Sequence, residues 1–226
     1  RPLTHEPGEQ FTYGLSIDIV ARLIEVLSGQ PLDEYLTQHI FQPLEMEDTY
    51  FYLPKEKADR LVELYSKARP EHELTVHQNQ TFRTFAVAGE QTFFSGGAGL
   101  VSTVEDYARF CQMLLNGGRF NDQQLLSPAT VELMTRNHIG ELEVWDRRDG
   151  FGFSFQIVQE DTDYANPAPP GSYTWGGKYC SEFTIDPKNQ LIMLVFTNVD
   201  PYAHYEEFLR KFRILVYQAF VELSCR

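Results

Sequence analysis

Residues 11–32 read FTYGLSIDIVARLIEVLSGQPL, and this stretch decides the first part of the fold. Ser16 is a residue type that caps helix amino termini, and Gly29 tolerates the left-handed conformation that ends helices. Between them, apolar residues recur at helical spacing: Ile17, Val20, Leu23, Ile24 and Leu27. The stretch therefore predicts a loop through Tyr13, a helix capped by Ser16, and a second helix that starts at Pro31.

A second segment with clear signals begins at the glycine cluster Gly96, Gly97 and Gly99. Ser102-Thr103-Val104-Glu105 follows and has the form of a capping box, with Ser102 as the cap and Glu105 three residues later. The helix that it opens is expected to end at Gly117-Gly118. A further helix is expected to begin at Ser127-Pro128.

The pattern changes after His138, where residues 151–157 alternate between apolar and smaller or polar side chains, as a half-buried strand does. Two more strands are expected at 173–185 and 191–199, joined by a turn at 186–189, and a final helix at 204–223. The sequence thus predicts an α+β protein. Residues 1–138 form a mostly helical part with the Tyr13 loop, and residues 139–226 form antiparallel strands and a closing helix.

Composition narrows the partners of the chain. The formal net charge is −13, from 19 Lys and Arg against 32 Asp and Glu, so nucleic acid is not an expected partner. The apolar runs are far shorter than the roughly 20 residues of a membrane span, so no membrane span is expected. The three cysteines form no CxxC pair, and no targeting peptide is recognisable, so the compartment stays open.

Serine chemistry needs an activated hydroxyl, a proton acceptor and backbone donors directed at the oxyanion. The chain contains no GxSxG elbow, and no serine is followed by Lys three residues later. The group Glu71-His72-Glu73 with His77 matches no zinc spacing, so neither a metal nor another cofactor is expected.

Three segments, taken in order, resemble the class C β-lactamase and penicillin-binding-protein-like serine hydrolases, in particular their esterase branch. The first is Phe11–Ser16 with the helix pair that follows it, which is similar to the tyrosine motif of that family. The second is the glycine-rich segment Ser95–Thr103 with its following helix, and the third is Trp175-Gly176-Gly177, similar to the tryptophan variant of the Lys-Thr-Gly strand. Together and in this order the three motifs are specific.

The resemblance implies a β-lactamase/transpeptidase-like fold, in which an antiparallel sheet flanked by helices adjoins a helical domain and the catalytic cleft lies between them. In that family the amino-terminal portion carries the nucleophile in a Ser-x-x-Lys motif, which this chain lacks. The resemblance therefore implies that the amino-terminal portion is missing, that the nucleophile lies upstream of Arg1, and that this chain alone is inactive. It also implies an unfilled groove, to be filled by an amino-terminal fragment or another copy.

Site residues follow from the same resemblance. Tyr13 matches the tyrosine that acts as general base and then proton donor, and a phenol, with a pKa of about 10, does so only beside a cation. Trp175, Gly176 and Gly177 match the strand that borders the site, and the amide of Lys178 matches an oxyanion donor. Gly96 and Gly97 match cleft-lining positions, although a loop that shapes a helix start explains them equally well.

Two departures from the lactamase pattern guide the choice of substrate. Leu15 stands where that branch has Asn, and Trp175 stands where it has Lys, so an uncharged small-molecule ester fits better than an anionic lactam. Lys178 leaves an amide substrate open. The leading hypothesis is a carboxylesterase that acts through an acyl-serine. An acyltransferase, a β-lactamase or peptidase, and a non-catalytic binding fragment stay open as alternatives.

Overall fold

The structure, a computed structural model, describes residues 4–145, 147–160, 162 and 166–220. Its α-helices are α1 (Ser16–Ser28), α2 (Leu32–Leu36), α3 (Gln80–Thr84), α4 (Val104–Leu115), α5 (Pro128–Met134) and α6 (Tyr205–Gln218). A π-helical turn (Thr37–Phe41) follows α2, and a 3-10 helix (Lys55–Arg60) precedes the first strand. Its strands are β1 (Tyr65–Lys67), β2 (Thr75–Val76), β3 (Arg119–Phe120), β4 (Gln123–Gln124), β5 (Gly150–Phe151), β6 (Gln156–Ile157), β7 (Tyr173–Gly176), β8 (Ser181–Asp186), β9 (Leu191–Phe196) and β10 (Val199–Tyr202). Among these residues, no helix has both the length and the apolar character that crossing a membrane requires.

The main sheet has five antiparallel strands in the order β5-β6-β7-β8-β9. Strands β7 and β8 form a hairpin that pairs Tyr173 with Ile185 and Gly176 with Glu182. A smaller sheet has the order β10-β1-β2, with β1 parallel to β10, and β3 pairs with β4. The predicted α+β class, an antiparallel sheet with flanking helices, is confirmed.

One apolar core joins the helical and the strand-rich parts. Helix α4 packs against β8 and β9, because its buried residues Cys111 and Leu114 face the sheet. The buried members of this core come from both parts: Phe41, Leu44, Met46, Cys111, Met113, Leu114, Val131, Phe155, Ile157, Tyr173, Phe183 and Ile185. A division of the chain near residue 138 stays a prediction.

Two of the predicted helix caps were placed one residue away from the observed ones. Ser16 is the first residue of helix α1, so the cap position is taken by Leu15, whose side chain makes no cap hydrogen bond. Gly29 ends the helix in the left-handed conformation at φ 70°, as expected. Helix α4 is capped by Thr103, whose hydroxyl accepts the N–H of Asp106, and not by Ser102. The cap of α5 at Ser127 is confirmed.

All three predicted strands were too long, and the third, expected at 191–199, ends at Phe196. Residues 151–157 form the short strands β5 and β6 around a turn that includes Ser154 at φ 68°, so the apolar alternation there does not belong to one strand. Residues 173–185 turn at 177–180, which separates β7 from β8. The final helix ends at Gln218, and residues 221–223 of its predicted span lie outside the described residues.

Helix α1 turns most of its apolar side chains to solvent. Apolar residues at helical spacing normally mark the face that a helix buries. Here the packed side is formed by Ala21 and Ile24, which contact Leu32 and Phe51 in a small separate core. The exposed side is a continuous row, called here the α1 stripe: Ile19, Val20, Leu23, Val26 and Leu27, with Ile19 72% and Leu27 77% exposed.

The buried carboxylate of Asp106 ties α4 to the segment before it. Asp106 is 3% exposed and accepts the N–H of Asp48 at 2.7 Å and the hydroxyl of Thr49 at 2.9 Å. We expect Asp106→Ala to lower the free energy of unfolding by about 3 kcal/mol, because it leaves the buried Thr49 hydroxyl and the half-buried Asp48 N–H without that acceptor. Asp106→Asn retains one oxygen and should lower it by less. Urea unfolding followed by circular dichroism measures both, and equal losses for the two variants would contradict this role.

Candidate active site

The Tyr13 loop and the β7–β8 hairpin meet on the surface. Tyr13 lies directly ahead of α1 and is 60% exposed. The centroid of its ring lies 5.8 Å from that of Trp175 on β7. The structure therefore brings the tyrosine and the tryptophan predicted from separate motifs into contact, on a surface that is open to solvent.

The hairpin turn after Trp175 presents exposed backbone. Strand β6 pairs with Tyr173 and Thr174, so the β7 edge at Trp175 and Gly176 has no strand partner on that side among the described residues. The N–H of Gly177 donates to the carbonyl of Ser181 at 2.8 Å. No acceptor among the described residues takes the N–H of Lys178, which leaves this donor available to a ligand.

The side chains around the turn explain why residue 177 is glycine and where the Lys178 ammonium is bound. A Cβ on Gly177 would lie 2.5 Å from Oγ of Ser181, so glycine fits this close approach best. The Lys178 ammonium pairs with Asp200 at 2.9 Å and lies over the ring of Phe82. The hairpin cation is thus already neutralised by a carboxylate of the same chain.

The glycine-rich segment contacts α1. A Cβ on Gly96 would lie 2.6 Å from Cβ of Ala21, and one on Gly97 would lie 3.2 Å from a carboxylate oxygen of Asp18. That carboxylate accepts the hydroxyl of Ser95 at 2.6 Å. These contacts fix the start of α1, which directly follows the Tyr13 loop. A cleft-lining role for the two glycines stays a prediction.

Sequence reasoning missed a second tryptophan at the site. Trp145 stacks on Trp175, with centroids 5.4 Å apart and planes inclined by 17°, and lies 5.7 Å from the Tyr13 ring. Phe151 contacts Trp175, and Phe11 contacts both Phe151 and Trp145. Trp145 belongs to no motif; its one local signal is that it is one of two tryptophans, set in a charged segment. We call these five residues the aromatic group.

Within the described part of the chain, no group of three or more His, Cys, Asp or Glu residues is arranged to hold a metal ion.

Burial lowers the reactivity of the two described cysteines, Cys111 and Cys180. Cys180 is the last residue of the turn between β7 and β8. Burial raises the pKa of the Cys111 thiol to about 12. Burial and then the nearby carboxylates of Asp200 and Glu206 raise the pKa of the Cys180 thiol to about 11. Since the thiolate is the reactive form, both thiols should be almost inert at neutral pH.

We therefore expect a Cys225→Ser variant, in which only Cys111 and Cys180 remain, to resist Ellman's reagent at pH 8 while folded. Absorbance at the thionitrobenzoate band should rise only when denaturant is added. Immediate release of one equivalent from the folded variant would show an activated thiol and would contradict the assignment of both cysteines as buried packing residues.

Comparisons with known proteins agree on one family. A model of the Beta-lactamase family matches residues 1–218. Monacolin J acid methylbutanoyltransferase of Aspergillus terreus is 28% identical over 228 residues, which cover 89% of this chain and 52% of that protein. Lovastatin esterase of Penicillium rubens is 29% identical over 215 residues, which cover 84% of this chain and 51% of that protein.

The fold is also found in solved structures. That of unliganded simvastatin synthase (LovD) from Aspergillus terreus superposes with a TM-score of 0.82 at 27% identity, covering 98% of this chain and 59% of that one. The predicted β-lactamase/transpeptidase-like fold is thereby confirmed. The chain spans about half the length of the curated relatives that it matches.

Proposed function

Because the chain belongs to the beta-lactamase family, we propose that it forms the carboxyl-terminal part of a serine hydrolase that acts through an acyl-serine intermediate. The single observation that carries this proposal is the contact between Tyr13 and Trp175, whose ring centroids lie 5.8 Å apart. A phenol close to a strand turn with an unpaired amide N–H provides a proton acceptor and an oxyanion donor, two of the groups that acyl transfer to serine needs.

Each site residue has a role in the proposed reaction. Tyr13 takes the proton of the serine hydroxyl as the acyl bond forms and returns it to the leaving group. The N–H of Lys178 donates to the oxyanion of the tetrahedral intermediate. Trp175, Gly176 and Gly177 border the acyl group along the open edge of β7.

The nucleophile and its lysine are proposed to lie outside residues 1–226. No serine of the chain has Lys three residues later, and the relatives are about twice as long as the part that they share with it. The α1 stripe supports this proposal, because an exposed apolar row of this length is expected where another segment packs. A second copy of the chain would bring no Ser-x-x-Lys, so an upstream segment is the favoured occupant.

An uncharged carboxylic ester is the proposed substrate class. The aromatic group offers apolar ring faces, and the Lys178 ammonium pairs with Asp200, so no cation of the hairpin is left for a substrate carboxylate. Acyl transfer to an alcohol is the second candidate, favoured by the similarity to a methylbutanoyltransferase. Product analysis in the presence of an added alcohol separates ester hydrolysis from transfer.

Labelling with a fluorophosphonate probe tests the proposal. Residues 1–226 alone should stay unlabelled, and the chain extended by the upstream part of its reading frame should bind one equivalent. Labelling of residues 1–226 would contradict the placement of the nucleophile. An extended protein that folds and still resists the probe would favour the alternative of a non-catalytic binding fragment.

A further inference from the structure

The backbone of Trp145 is unusual for an exposed aromatic residue. Val144 and Arg147 exchange backbone hydrogen bonds of 2.9 and 3.1 Å, which makes a tight turn, and Val144 at its base is fully buried. Trp145 in this turn has φ 51°, in the left-handed region that bulky residues avoid. Such conformations persist where the surroundings hold them in place and are concentrated at functional sites.

Core packing does not account for this placement, because the Trp145 side chain is 53% exposed. The turn instead stacks the indole on Trp175 and places its ring centroid 5.7 Å from that of Tyr13. The two indoles with Phe151, whose ring centroid lies 5.1 Å from Trp175, form a continuous apolar surface next to the phenol.

We infer that Trp145 and Trp175 form the subsite for an uncharged, apolar acyl chain, and that Trp145 sets the preference for acyl length. This inference rests on the proposed function, since it places the acyl carbonyl between Tyr13 and the amide of Lys178. The chain of the acyl group then extends over the indoles. An anionic acyl group finds no free cation on the hairpin, because Lys178 pairs with Asp200.

The kinetic test uses the extended protein with p-nitrophenyl acetate and p-nitrophenyl hexanoate. In the wild type, kcat/KM for the hexanoate should exceed that for the acetate by at least about tenfold, because each buried methylene contributes about fourfold. Trp145→Ala should remove most of this preference. Trp145→Gly should do the same, and it fits the positive φ, so that a folding defect is not the cause.

Phe153→Ala is the matched control, since Phe153 is an exposed aromatic residue whose ring stacks on His138. It should leave the hexanoate-to-acetate ratio unchanged. An unchanged ratio in both Trp145 variants, with turnover retained, would overturn the subsite while the proposed function stands. Equal losses of kcat/KM for the two esters would likewise overturn the subsite, because they indicate a structural role for Trp145.

Absence of ester turnover in the wild type would instead overturn the proposed function, and the subsite is then tested by binding. Both tryptophans of the chain lie in the pair, so its fluorescence reports on this subsite alone. Titration of residues 1–226 with N-methylhexanamide should give a saturable change in tryptophan fluorescence, and the Trp145→Gly variant should not show this change. No saturable change, or saturation by hexyltrimethylammonium alone, would overturn the inference.

Discussion

Replacing Tyr13 by Phe in the extended protein is expected to lower kcat for p-nitrophenyl butyrate by about a thousandfold, within the range of general acid–base catalysis. The phenol is the one proton acceptor proposed for the serine hydroxyl, whereas its ring contacts with Trp145 and Trp175 survive in phenylalanine. The change therefore removes the chemistry and keeps the packing. The free energy of unfolding should stay within about 0.5 kcal/mol of the wild type.

Tyr52→Phe is the control for loss of a tyrosine hydroxyl. The hydroxyl of Tyr52 donates to the carbonyl of Phe93 at 2.6 Å, outside the candidate site, so kcat should change by less than about twofold. Steady-state kinetics with both variants measures the contrast. A Tyr13→Phe variant that retains more than about a tenth of the wild-type kcat would remove Tyr13 from the proposed mechanism.

The second large effect concerns the α1 stripe, and its size should differ between the two polypeptides. In the extended protein, Leu23→Glu should lower the free energy of unfolding by at least about 2 kcal/mol, because the side chain is proposed to pack against the upstream segment. In residues 1–226 alone, Leu23 is exposed, so the same change should alter stability by less than about 0.5 kcal/mol. It should also reduce self-association of the shorter chain.

Arg22→Glu provides the matched control on the neighbouring position. Arg22 lies off the stripe, is 73% exposed in its side chain, and makes a surface ion pair with Glu25. Such pairs contribute little, so this variant should be near neutral in both polypeptides. Urea unfolding and sedimentation velocity measure these effects. A neutral Leu23→Glu in the extended protein would show that the stripe is not covered there.

Sequence reasoning predicted the elements of the fold better than their ends. Helix α1 is where the spacing of Ile17 to Leu27 placed it, but spacing does not tell which side of a helix finds a partner, and most of this row is exposed. At α4, Ser102 and Thr103 are both followed by an acidic residue three positions later. Thr103 accepts the N–H of Asp106, and the Asp106 carboxylate accepts hydrogen bonds from Asp48 and Thr49, which are distant in sequence and so not visible in the local pattern.

The candidate site was predictable where a motif marked it. Tyr13 and Trp175 were identified from separate motifs, and the structure places them in contact. The turn between β7 and β8 was not predicted, because a non-glycine residue, Cys180, takes its positive φ of 61°. The position of Trp145 in the site was not predicted either. It depends on the turn between Val144 and Arg147, and the sequence around Trp145 contains no turn motif that predicts it.

A crystal structure of the extended protein after reaction with a fluorophosphonate tests most directly whether Tyr13 and the β7–β8 hairpin serve one acyl-serine. The proposed mechanism requires a phosphonylated serine from outside residues 1–226, with its phosphoryl oxygen within about 3.1 Å of the Lys178 amide nitrogen. The Tyr13 hydroxyl should lie within about 3.2 Å of the serine Oγ. A phosphonate carried by a serine of residues 1–226, or one remote from both groups, would contradict the account.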